Sequence, residues 1–163
     1  MIFKSFEINK INKKINQLIL FYGKNEGLKN EALNILIKDE NNIQNYEEKE
    51  ILDNENNFIE NILSKSLFEK EKFIVIKRTT DKILKVIETL HLKNLEDITI
   101  ILNSDNLEKK SKLRSLFEKD KTLACVPFYP DNDQTLSKLA YNFLSNKKIS
   151  LSPSNINLII GKC

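Results

Sequence analysis

The chain has 163 residues, 40% of them hydrophobic and 30% charged, enough apolar mass for one domain of ordinary size plus part of a second. That composition excludes a disordered chain, and three Gly and three Pro exclude collagen-like and Pro-rich linker classes. A balance of 26 Lys and Arg against 23 Asp and Glu gives +3, less positive charge than a dedicated nucleic-acid-binding domain usually concentrates. No apolar run approaches a membrane span, and the start from Met1 to Glu7 has no signal-like core. Cys125 and Cys163 with the single histidine, His91, form no metal framework, so neither metal nor cofactor is expected. The cytoplasm is the expected compartment.

Leu18 to Tyr22 is a continuous apolar run stopped by Gly23, which predicts a buried strand. From Glu26 to Lys38 the spacing of Leu28, Ala32, Ile35 and Leu36 predicts one helical face, widened by Leu33 and Ile37. Residues 39 to 57 are polar and ambiguous, with a second strand at Ile43 to Tyr46. Phe58, Ile59, Ile62 and Leu63 then predict a short amphipathic helix. Phe73 to Ile76 is the next strand, followed by a helix from about Thr80, its N-cap, to His91. Ile98 to Leu102 predicts a strand, Lys110 to Lys119 a helix carrying Leu113, Leu116 and Phe117, and Leu123 to Phe128 a last strand closed by Pro127 and Pro130. Alternation of this kind implies a mostly parallel sheet covered on both faces.

The pattern changes after Pro130. Leu136, Leu139, Ala140, Phe143 and Leu144 predict a helix over Thr135 to Asn146, and Ser152-Pro153 starts another carrying Ile156, Ile159 and Ile160. Two such helices bury little against each other. The expected organisation is therefore an α/β domain over 1–130 and the start of a small, truncated helical domain over 131–163.

Between the first strand and helix, Gly23-Lys24-Asn25-Glu26-Gly27-Leu28-Lys29-Asn30 lies where a phosphate-binding loop belongs. That motif needs glycine before its lysine, so the backbone can wrap phosphates, and a hydroxyl after it to ligate magnesium. Lys29 is in register, but Leu28 and Asn30 stand in place of the glycine and the hydroxyl. The strand that would supply an acidic metal ligand ends in Lys77-Arg78. A degenerate, structural P-loop without nucleotide hydrolysis is expected.

Ser66-Leu67-Phe68-Glu69-Lys70 recurs as Ser115-Leu116-Phe117-Glu118-Lys119. The second copy follows Leu113 at helical spacing and is expected to pack on the sheet. The first lies on a charged connection, where Leu67 and Phe68 either fold into the core or form an exposed apolar plug for a partner. His91, at a helix end, reads as a cap or a solvated residue. Asp105 and Glu108 are followed at once by Lys109 and Lys110, which reads as a solvated loop. No catalytic set can be assembled.

In order, Leu20-Phe21-Tyr22-Gly23 and its helix, Ser66-Leu67-Phe68 before the strand Phe73 to Ile76, Ile98 to Leu102, Lys110-Ser111-Lys112-Leu113 and Pro127-Phe128 resemble the N-terminal part of the delta subunit of the bacterial DNA polymerase III clamp loader. The resemblance implies an AAA+-like three-layer fold without a working ATP site, and a Leu-Phe pair that enters a pocket of the beta sliding clamp and loosens the ring. Matched by position, the clamp-binding residues are Ser66, Leu67 and Phe68. An apolar residue often precedes the leucine by two places in that family; here the place holds Lys65. The implied partners are the clamp and other clamp-loader subunits, with DNA contacted only indirectly and no membrane. The chain would have no activity of its own and would belong to a polymerase complex. Two other classes compete: a nucleotide-binding enzyme with a divergent P-loop, and a nucleic-acid-binding module.

Overall fold

A computed structural model describes residues 1–37, 43–64, 71–93 and 95–162. Five strands of these residues form one sheet: β1 (Leu18–Tyr22), β2 (Ile43–Glu47), β3 (Lys72–Lys77), β4 (Ile98–Asn103) and β5 (Ala124–Pro127). The order is β2-β3-β4-β1-β5 and every pairing is parallel, with Leu20 opposite Leu102 on one side and Cys125 on the other. The chain is an α/β protein, as the alternating runs predicted.

The period of two divides the strands between two cores. Leu18, Leu20 and Tyr22 join Ile74, Ile76, Ile100 and Leu102 on one face. That face is covered by Ile51 of α2 (Glu48–Asp53), Phe58 and Ile62 of α3 (Glu55–Leu63), Val86, Ile87 and Leu90 of α4 (Leu84–His91), and Leu113 and Phe117 of α5 (Lys112–Lys119). Ile19 and Phe21 point the other way, into a core shared with Ala32 and Leu36 of α1 (Glu26–Leu36) and with Phe3, Ile8 and Ile11. A short 3-10 helix over Ser5–Lys10 carries Ile8, and Phe3 bonds the Cys125 carbonyl at 2.9 Å along the outer side of β5. Burial raises the Cys125 thiol to about 12, with Glu118 adding to the effect.

Three expectations are corrected and one, the second strand, is met. Helix α1 buries Lys29, Ala32 and Leu36, while Ile35 is exposed and Leu28 half-buried, so the inward stripe passes through a lysine. The strand expected at Ile43 to Tyr46 is present as β2, and α2 follows it directly, its start strengthened by a capping box between Glu47 and Glu50. The helix expected from Thr80 opens with a 3-10 turn over Asp81–Ile83, with Thr80 as its cap. Phe117 is buried as expected, but Leu116 is only half-buried at the core's edge.

Residues Tyr129–Cys163 cluster separately from Met1–Phe128. They hold α6 (Asp133–Asn146), capped by Asn132, and α7 (Pro153–Ile160), capped by Ser152 with proline in the first turn. Ile156 is buried, whereas Leu139, Phe143 and Leu158 are exposed. Among the described residues no helix is long and apolar enough to cross a membrane.

Candidate functional site

In parallel α/β sheets ligands enter the crevice beyond the carboxyl ends of the strands. Here β1 delivers Gly23, β3 delivers Lys77 to Thr80, and β4 delivers Asn103 to Asp105. Gly23 has φ +119°, and a Cβ placed on it would overlap the Phe128 carbonyl oxygen. The glycine is thus required by the close passage of the segment after β5. Asn25 Oδ1 accepts the Leu28 amide at 3.1 Å and caps α1. Gly27 has no such need: a Cβ there would meet only Asn25 Oδ1, at 3.6 Å. Asn30 is exposed on the outer face of α1.

Lys29 has no exposed surface. Its Nζ donates to the Ser104 carbonyl at 2.9 Å and is ion-paired with Glu26 one turn earlier. Ser104, itself buried, shares a hydroxyl–hydroxyl bond with buried Thr79, and its amide donates to the Phe21 carbonyl at 2.8 Å. The lysine therefore ties the start of α1 to the end of β4, instead of pointing into an open loop.

The opening beside this latch is a cleft of ≈ 490 Å³ bordered by Glu26, Glu47, Arg78, Asn103 and Asp105. Arg78 sits at φ 56°, an uncommon conformation for a side chain of its size. Its Nη2 lies 2.8 Å from Glu47 Oε2, a Coulombic contact without hydrogen-bond alignment. With the Arg78 side chain 81% exposed, that pair contributes little stability. Glu48 accepts the Thr80 amide at 2.6 Å and the Thr80 hydroxyl at 3.0 Å, which joins α2 to the turn after β3. Among the described residues no cluster of His, Cys, Asp or Glu could hold a metal ion.

Sequence reasoning identified Gly23 and Lys29 but not their partners Phe128, Ser104 and Thr79. Those partners come from other strand ends, and no local spacing connects them. Asp81 was also missed: it accepts from the Ser111 hydroxyl and from the Lys112 and Leu113 amides, capping α5 from another element. Partial burial pushes its carboxyl up, but these bonds outweigh it and hold the pKa below the usual value. His91 pairs with Asp120 at 3.2 Å instead of standing in solvent.

Ser66, Leu67 and Phe68 lie outside the described residues. The flanks of their connection are defined. The Asn61 carbonyl accepts both Ser64 Oγ at 2.8 Å and Lys72 Nζ at 3.1 Å, and Glu71 pairs with Lys13 at 3.1 Å.

No family model matches this sequence, and no curated protein matches it. Solved structures do match in shape. The Bacillus subtilis DNA clamp loader delta protein (YqeN) aligns with a TM-score of 0.68 at 13% identity, over 96% of this chain and 51% of that one. Domain III of the Thermotoga maritima replication initiation protein DnaA aligns with a TM-score of 0.50 at 17% identity, over 95% of this chain and 72% of that one. The chain thus spans about half the length of the Bacillus protein, and at these identities the likeness concerns the fold. What the chain has in common with both proteins is an α/β fold, here a five-stranded parallel sheet between helices.

Proposed function

We propose that this chain is a clamp-loader delta-type module that binds the beta sliding clamp through Ser66, Leu67 and Phe68 and helps to open it during DNA replication. The observation that carries the reading is a coincidence of order and fold. The Leu67-Phe68 pair falls on the connection between α3 and β3, in a chain that shares its fold over 96% of its length with a clamp loader delta protein. Flanks held by Asn61 and Lys13 support a connection that can present an apolar pair without disturbing the sheet. Burying a leucine and a phenylalanine in a partner's pocket yields roughly 1.5–3 kcal/mol each, enough with rim contacts for a micromolar complex. Ring opening follows only if the module fits the opened clamp better than the closed one.

In this reading the P-loop position is structural. Lys29, already satisfied by Ser104 and Glu26, holds the fold together, and the chain has no activity of its own within a cytoplasmic polymerase complex. A nucleotide-binding enzyme with a divergent loop is the rival reading, and the cleft at the strand ends is what favours it. Calorimetry with Mg-ATP separates the two, because only the rival reading expects heat.

The test is retention of this chain on immobilised beta clamp from the same organism. Wild type should be retained, and the Leu67→Ala/Phe68→Ala variant should bind at least ~30-fold more weakly, the hot-spot scale. Equal retention of both proteins, or none of either, would refute the proposal.

A further inference from the structure

Away from Leu67, Phe68 and the strand-end cleft, a groove of ≈ 600 Å³ runs between α4 and α5. One wall is built by Lys112, Ser115, Leu116 and Lys119, which occupy positions i, i+3, i+4 and i+7 of α5. The adjacent face of the same helix buries Leu113 and Phe117, so of the groove-facing stripe only Leu116 is shared, in part, with the core. Leu84 of α4 joins Leu116 in the lining, and both are half-buried at the edge of the core. Lys109 and Lys110 extend the basic rim past the start of α5. Among the described residues only Lys110 of these four lysines is ion-paired, to Glu108 at 2.9 Å. Glu88 and Asp120 also line the groove, which makes its charge intermittent.

From this chemistry we infer that the α4–α5 groove docks an acidic amphipathic helix of a partner protein. Two features favour that occupant over a nucleic acid. Leu84 and Leu116 offer apolar contact that a sugar-phosphate backbone cannot use, whereas the apolar stripe of a helix can. The two carboxylates repel an unbroken run of phosphates but leave room for acids spaced along a helix. That spacing is set by α5 itself. Lys112 and Lys119 are seven residues apart, about 10.5 Å along the axis, and a facing helix with carboxylates at i and i+7 repeats it. Leucines between those carboxylates then meet Leu116 and Leu84.

The full chain is tested by fluorescence anisotropy with a labelled peptide of roughly 20 residues, long enough to form helix. The peptide carries Glu at i and i+7, Leu at i+3 and i+4, and Gln and Ala elsewhere. Binding should weaken at least ~10-fold in Lys112→Glu/Lys119→Glu and by a smaller factor in Lys112→Gln/Lys119→Gln, with unchanged thermal midpoints. It should also weaken between roughly 0.05 M and roughly 0.3 M salt. A peptide with the same Glu positions but no Leu should bind at least ~5-fold more weakly. The Leu67→Ala/Phe68→Ala variant should bind the peptide normally, which separates this surface from the clamp contact. Absence of peptide binding, indifference to the lysine changes, or tighter binding of a single-stranded oligonucleotide of similar length would overturn the inference.

Discussion

Replacing Lys29 is the sharpest test of how the strand-end region is built. In a working phosphate-binding loop the lysine serves the nucleotide; here it has no exposed surface and its Nζ serves the Ser104 carbonyl at 2.9 Å. Lys29→Ala removes a long buried side chain, and truncations of comparable size cost about 2–5 kcal/mol. It also strips the Ser104 carbonyl of a charged donor, worth about 1–3 kcal/mol. Relief from burying an ammonium offsets part of this, because desolvating an ion is expensive. The net expectation is about 3 kcal/mol, or roughly 6–12 °C in thermal midpoint for a protein of this size. Lys29→Met keeps the volume and should cost less, about 1–2 kcal/mol. Glu26→Gln should cost under about 1 kcal/mol, since the Glu26 side chain is 62% exposed and its share of the pair is screened. Urea unfolding followed by circular dichroism orders the three variants. If Lys29→Ala unfolds within about 1 kcal/mol of wild type, the lysine is not latched in solution and the account of the degenerate loop is wrong.

Two further tests concern the same frame. Gly23→Ala should cost at least ~2 kcal/mol, because φ +119° and the Phe128 carbonyl leave no room for a Cβ. Gly27→Ala, whose Cβ would make only an ordinary contact with Asn25 Oδ1, should be neutral or stabilise by up to ~1 kcal/mol, as urea midpoints of the pair would show. At Asp81 the folded-state pKa is depressed, so its stabilisation is present above the unfolded value of about 3.9 and lost as pH falls through the folded value. Asp81→Ala should therefore cost about 1 kcal/mol at neutral pH, the scale of a lost cap, and its deficit should shrink in urea titrations repeated in acid.

The elements legible in the sequence are those whose burial is complete. β1, β3 and β4 are buried on both faces, so each appears as an apolar run with no alternation to decode, interrupted in β4 only by the buried Thr99. Caps were equally readable at Thr80 and Ser152, where the side-chain bond is local. β2 was harder because Ile43–Glu47 lies half-buried beside β3 alone and mixes Gln, Asn and Glu with Ile and Tyr. The 3-10 helix at Ser5–Lys10 left no pattern, since Ile8 is its one buried residue and Phe6 is 78% exposed. At the candidate site the glycine and the lysine carried a signal, but the direction of the lysine did not. Helical spacing assigned the inward stripe of α1 to Leu28, Ala32, Ile35 and Leu36. Ala32 and Leu36 are buried, but Lys29 shares that face while Ile35 does not, and the Ser104 carbonyl from β4 together with Glu26 makes burying that charge tolerable.

The two Ser-Leu-Phe-Glu-Lys copies show why composition cannot decide between core and surface. In Ser115–Lys119 the helix direction is fixed by the Ser111 cap and by Asp81, and that direction buries Phe117 while leaving Leu116 half-covered. Phe117→Ala should cost about 3–5 kcal/mol through lost burial and an unfilled cavity. Leu116→Ala should cost about 1 kcal/mol, because part of its surface already faces the α4–α5 groove. Helix α3 ends at Leu63, and the Ser66–Lys70 copy lies outside the described residues. Under the clamp-binding proposal truncation of Leu67 and Phe68 should move the thermal midpoint by less than the equivalent of about 0.5 kcal/mol while weakening clamp retention. The comparison is informative because the pentapeptides are identical, so intrinsic propensity and side-chain chemistry cancel between the copies. Should Phe68→Ala lower the midpoint as far as Phe117→Ala does, Phe68 is a core residue. The chain would then have no apolar plug to offer a clamp on that connection.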